Sequence, residues 1–179
     1  KFSASGKLDA SDKGLNLVGY GQSPGAPDAP GGQGAANDLV TANQDMDLLY
    51  VECDPMWPGV EVVLKQFNIK PGEDMLVACA ADGTAYGMEA IKRGEIMAIG
   101  NNSSSMNAIG MLKIVRNLFI DGKDMNNIVP NTYTPTVAIT KENVDEFYDP
   151  DKPLAGGIDY ELQTVDEYNA SVSDTADPF

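Results

Sequence analysis

At 179 residues the chain is long enough for one hydrophobic core and too short for two ordinary domains. Its 27 Asp and Glu against 12 Lys and Arg leave a net charge of −15, which excludes a protein whose affinity comes from neutralising phosphates, so nucleic acid is not expected as a partner. With no histidine there is no His-based triad, no zincin site and no near-neutral imidazole switch.

Residues 1–14 are polar and without periodicity, and residues 15–20 form a short strand-like run. Residues 23–34, built almost wholly from Gly, Pro, Ala, Asp, Ser and Gln, read as a long loop, and a short amphipathic helix follows over 34–43. From there a pattern of strand, polar turn and helix occurs three times. The apolar run 46–53 ends at Asp54 and leads into a helix over 59–67. The run 75–81 ends at Asp82 and leads into a helix over 87–93. The run 96–100 ends at Asn101 and Asn102 and leads into the longest amphipathic helix, 103–120, with Met106, Met111 and Ile114 as its core positions.

Residues 132–139 alternate like a half-exposed strand that Pro135 keeps out of the centre of a sheet. Residues 149–179, rich in Asp, Pro and Gly, read as a weakly ordered acidic tail with one helical turn at 165–168. No apolar stretch reaches the roughly 18 residues that span a bilayer. The chain begins at Lys1 without a signal-like apolar core, as expected of a mature product or a trimmed fragment.

Apolar strands separated by helices of about ten residues require βαβ crossovers. The expected fold is therefore α/β, a doubly wound parallel sheet with helices on both faces. It divides into an irregular segment over 1–31 holding the 15–20 strand, an α/β lobe over 32–148 and the tail over 149–179.

In such a sheet ligands bind outside the carboxyl ends of the strands, where turns converge and helix N-termini point at the ligand. That edge should carry Asp54, Asp82 and Asn101 or Asn102. Carboxylates accept from adjacent hydroxyls and amides both donate and accept, so the set suits a polyhydroxylated ligand better than an anion. Trp57 reads equally as a stacking face for sugar C–H groups and as partly buried packing; Tyr86 reads as packing more than as platform. Asp54 before Pro55, and Asp82 before Gly83-Thr84, are also what helix capping produces, although their recurrence at consecutive strand ends favours ligand binding. Ser103, Ser104 and Ser105 read as a solvated helix start, since no base accompanies them. Cys53 and Cys79 lack metal-site spacing and read as buried free thiols, a disulfide being the minority alternative.

Over about residues 32–148 the chain resembles the carbohydrate-binding members of the periplasmic binding protein family of the ribose-binding type. The resemblance rests on residues 39–43 before a strand ending Cys53-Asp54, on residues 77–84, on residues 90–100, on Gly110 in the last long helix, on Asp121-Gly122-Lys123, and on residues 139–145. It implies the C-terminal lobe of a two-lobed solute-binding protein that closes on a monosaccharide or small oligosaccharide and presents it to the transmembrane subunits of an ABC permease. It also implies a periplasmic or extracellular location, with or without a lipid anchor, and neither enzymatic activity nor a cofactor. By the same comparison Asp82 matches the strand-end Asp that binds sugar hydroxyls, and Asn101 or Asn102 the amide on the next strand. Asp54 matches the acid of the preceding strand, where Cys53 replaces a frequent Asn. The N-terminal lobe of that family has no counterpart here, so the chain alone is expected to bind sugar weakly. Two other functions compete: a Mg²⁺-dependent phosphotransfer enzyme using Asp54 or Asp82 as nucleophile, and the effector lobe of a sugar-responsive repressor, which the acidic charge disfavours.

Overall fold

The computed structural model describes residues 16–23, 25–122 and 136–152. The polar opening over 1–14, the first half of the 132–139 run and the tail beyond 152, including its expected helical turn, lie outside these residues. Among the described residues four strands form one sheet in the order β1-β2-β3-β4: β1 (Leu48–Val51), β2 (Leu76–Cys79), β3 (Ala98–Asn101) and β4 (Val137–Thr140). The first three are mutually parallel and β4 runs antiparallel to β3. Val51 lies opposite Cys79, and Cys79 opposite Ile99, so the carboxyl ends of β1, β2 and β3 share one edge.

Strand alternation decides what is covered. Leu49, Val51, Val77, Cys79, Ile99 and Ile139 are buried, and they join Trp57, Val60, Val63 and Leu64 of α2 (Trp57–Gln66) and Met88, Ala90 and Ile91 of α3 (Ala85–Arg93) in a single core. Right-handed crossovers between consecutive neighbours put α2 and α3 on the same side, which is why one continuous core forms there. The alternate residues Leu48, Tyr50 and Leu76 are 44%, 66% and 49% exposed, so among the described residues the opposite face of these strands is open.

Helix α1 (Ala29–Ala42) starts five residues before the expected helix, inside the segment read as loop. The residues that suggested a loop instead build its first turn. Asp28 caps it by accepting a 2.9 Å hydrogen bond from the Gly31 N–H, and Pro30 occupies a position where no N–H is needed. The glycines let α1 and α2 touch: a Cβ on Gly59 would sit 1.8 Å from the Ala29 carbonyl oxygen. The 15–20 strand is not formed over the described residues 16–20. That segment lies along α1 instead; a Cβ on Gly19 would meet the Leu39 side chain at 3.0 Å and that of Asn43 at 3.1 Å.

Helix α4 (Ser104–Phe119) buries Met106 and Gly110, four residues apart on one stripe. Met111, expected in the core, is 69% exposed, because five positions beyond Met106 turn it well off that stripe. The last element, α5 (Val144–Phe147), is tied to α3 by Lys92–Asp145 at 2.6 Å and by the Tyr148 hydroxyl donating to Glu89 at 2.8 Å.

Candidate functional site

Asp54 opens a 3₁₀ turn, Asp54–Met56, directly after β1 and is fully buried. Both carboxylate oxygens are engaged across the sheet. The Gly83 N–H donates to Oδ1 at 2.9 Å and the Thr84 N–H to Oδ2 at 2.7 Å, and the Thr84 hydroxyl also donates to Oδ2. The Thr84 hydroxyl in turn accepts from the Gly87 N–H at 3.1 Å and so caps α3. A side chain at position 87 would fill the space Asp54 uses, since a Cβ there would come within 2.3 Å of its Oδ2 and 2.8 Å of Ile99 Cδ1. Burial pushes the Asp54 carboxyl above its ordinary range, and the bonds from Thr84 and Gly83 pull it part of the way back. Asp54, expected on the rim as a ligand contact, instead lies inside as a link between the end of β1 and the turn before α3. Its oxygens are satisfied by protein, so no accessible acceptor faces solvent.

Trp57 is likewise corrected. As the first residue of α2 it is fully buried in the core, and its ring presents no face to the strand-end edge. Its indole N–H finds no partner among the described residues.

Asp82 has a different environment. It follows β2 with φ +85, and Gly83 follows with φ +72, so two consecutive residues are left-handed. A side chain pays about 1–2 kcal/mol for that conformation, and Asp tolerates it better than most residues. Asp82 is partly exposed, and its side chain makes no hydrogen bond or ion pair with another described residue.

The two asparagines separate. Asn101, the last residue of β3, is fully buried and its side-chain oxygen accepts from the Ser103 N–H at 3.2 Å, turning the chain into α4. Ser103, also fully buried, caps α4 by accepting from the Ser105 N–H at 3.2 Å. Asn102 is exposed. Asn101 as a rim contact is thus corrected to a turn-forming residue, and Asp82 and Asn102 are the two expected site residues that the edge leaves open to solvent.

Tyr86 serves packing: its hydroxyl donates to Glu61 of α2, and Arg93 sits over its ring at 5.7 Å. Burial and the Glu61 carboxylate push its phenol up to about 12. Cys53 and Cys79 are free and buried, and burial raises both thiols. Sequence reasoning missed Thr84 as a working residue. Its signal was present in Asp82-Gly83-Thr84 followed by Gly87, a threonine three residues before a glycine whose N–H it caps.

No protein-family model matches the chain, and no curated protein sequence does. Solved structures do match. A periplasmic ribose ABC transporter protein from Conexibacter woesei superposes with a TM-score of 0.58 at 20% identity over 76% of this chain and 44% of its own. A periplasmic solute-binding protein from Actinobacillus succinogenes with bound D-allose gives 0.56 at 17% identity over 68% and 41%. The arabinose-transporter binding protein of Shewanella sp. ANA-3, bound to L-arabinofuranose, gives 0.52 at 20% identity over 66% and 38%. The chain shares part of the fold of these three proteins. It spans well under half of their length, so its sheet corresponds to part of a periplasmic sugar-binding fold rather than to the whole. In that fold the shared carboxyl edge of β1, β2 and β3 is where Asp82 and Asn102 emerge.

Proposed function

We propose that this chain supplies one wall of a sugar site in the solute-binding component of a carbohydrate ABC importer. The ligand is a monosaccharide or small oligosaccharide, held between this lobe and a second one, and the closed form is presented to a membrane permease. The observation that carries the reading is Asp82: a partly exposed carboxylate without a side-chain partner among the described residues, held left-handed at the carboxyl end of a parallel strand. Strained polar residues at strand ends cluster at ligand sites. Asn102, exposed at the end of the next strand, adds a donor and an acceptor suited to a sugar hydroxyl.

The fold shared with proteins that carry allose and arabinofuranose supports the same ligand class and a binding rather than catalytic role. On this reading the chain works in the periplasm or at the cell surface and needs no cofactor. A phosphotransfer role loses one of its two candidate nucleophiles, because the Asp54 oxygens are buried and committed to Gly83 and Thr84.

A ¹⁵N–¹H NMR titration of the chain with ribose, arabinose, galactose and allose tests the proposal. The expected result is weak, saturable shifts confined to residues around Asp82 and Asn102, weak because the opposite wall of the site is not present. Shifts elsewhere, or none with any of the four sugars, would refute it. Tight binding by calorimetry would instead refute the expectation that one lobe is an incomplete site.

A further inference from the structure

The buried carboxylate of Asp54 is mechanically connected to the partly exposed Asp82. Asp54 accepts from the two amides that immediately follow Asp82, those of Gly83 and Thr84, and from the Thr84 hydroxyl. These bonds grip the left-handed pair Asp82-Gly83 at its second residue and the chain just beyond it, at Thr84. A left-handed aspartate relaxes toward extended backbone unless its surroundings hold it, because its Cβ crowds the following carbonyl. Among the described residues Asp82 has no side-chain partner to hold it, whereas Asp54 is enclosed: it is fully buried, Gly87 makes room for it, and Thr84 carries its hold onward to the Gly87 N–H at the start of α3.

We infer that Asp54 is a positioning residue for the proposed ligand site: by holding the Gly83 and Thr84 amides from the end of β1, it keeps Asp82 left-handed and its carboxylate on the sheet edge. The functional half of this inference rests on the reading of Asp82 as a sugar contact; the conformational half does not. An acid at the end of β1 therefore acts on a ligand it does not touch.

The substitution Asp54→Asn tests it with little change in volume. An amide has one acceptor oxygen, so its NH₂ group must confront at least one of the donors from Gly83 and Thr84. In the wild-type chain the short HN–Hα distance of a left-handed residue gives a strong intraresidue NOE at Asp82. In D54N that NOE is expected to fall to the level of an extended residue while the rest of the amide spectrum stays folded, and the sugar-induced shifts at Asp82 are expected to be lost. An unchanged NOE at Asp82 in folded D54N would overturn the inference.

If D54N does not fold, the wild-type chain decides the matter. Scalar couplings across the hydrogen bonds from the Gly83 and Thr84 nitrogens to the Asp54 carboxyl carbon, with slow exchange of both amides, support the inference; their absence with fast exchange overturns it. The Asp82→Ala chain separates the two claims. Sugar-induced shifts equal to wild type in D82A would overturn the ligand reading, and with it the functional half, while the NOE in D54N still judges the conformational half.

Discussion

Two acids close consecutive strands of this sheet, and they have opposite fates. Asp54 ends an apolar run, is fully buried, and spends both oxygens on the protein. Asp82 ends the next such run, is partly exposed, and spends its carboxylate on no described residue while its backbone sits at φ +85. The same local pattern has yielded one group that stabilises the fold and one that strains it. The lesson is that a strand-end acid acquires its role from what the neighbouring strand end offers it. Asp54 meets two free N–H groups and a hydroxyl. Asp82 is partly exposed and meets no side-chain partner among the described residues, beside a turn already gripped from the other side.

The comparison can be broken most decisively at Asp54. Asp54→Ala would strand one buried and one part-buried N–H donor and open a small void, costing about 3 kcal/mol, or the fold itself; urea denaturation followed by circular dichroism measures it. Gly87→Ala attacks the same link from the helix side. Its methyl group would collide with the Asp54 carboxylate and Ile99, so a loss of about 2 kcal/mol is expected in the same assay.

Asp82 should answer with the other sign. Asp82→Gly removes the left-handed strain and is expected to raise stability by about 0.5–1 kcal/mol while abolishing sugar-induced NMR shifts. A variant that is destabilised, or that responds to sugar as wild type does, would erase the contrast drawn here. The smallest effect concerns Trp57, the chain's one tryptophan. Because it lies in the core, its fluorescence should be blue-shifted and unmoved by sugar; a sugar-dependent change would restore it to the edge.

Much of the fold was legible in the chain because the signals are local. Three repeats of strand, turn and helix appear in the structure at the expected places, with boundaries shifted by a few residues. The errors have physical causes. The Gly- and Pro-rich stretch before residue 34 read as loop because those residues seldom build helices. Here Asp28 caps a first turn that contains Pro30, and the glycines allow contact with α2. Met111 was read as a core position of the amphipathic helix, whereas the stripe through Met106 and Gly110 decides what α4 buries.

For the candidate site, the chain pointed only to which edge to inspect. Composition and periodicity by themselves determined the parallel strands, the crossovers and hence the shared carboxyl edge, since burying apolar runs of this length leaves few other arrangements. Only the tertiary structure decided that Asp54, Trp57 and Asn101 turn inward while Asp82 and Asn102 stay open. Asp54 accepts from residues 29 and 30 positions away in the chain, and no local pattern encodes a partner at that distance. It is brought there by strand pairing, which places side by side groups that the sequence holds far apart.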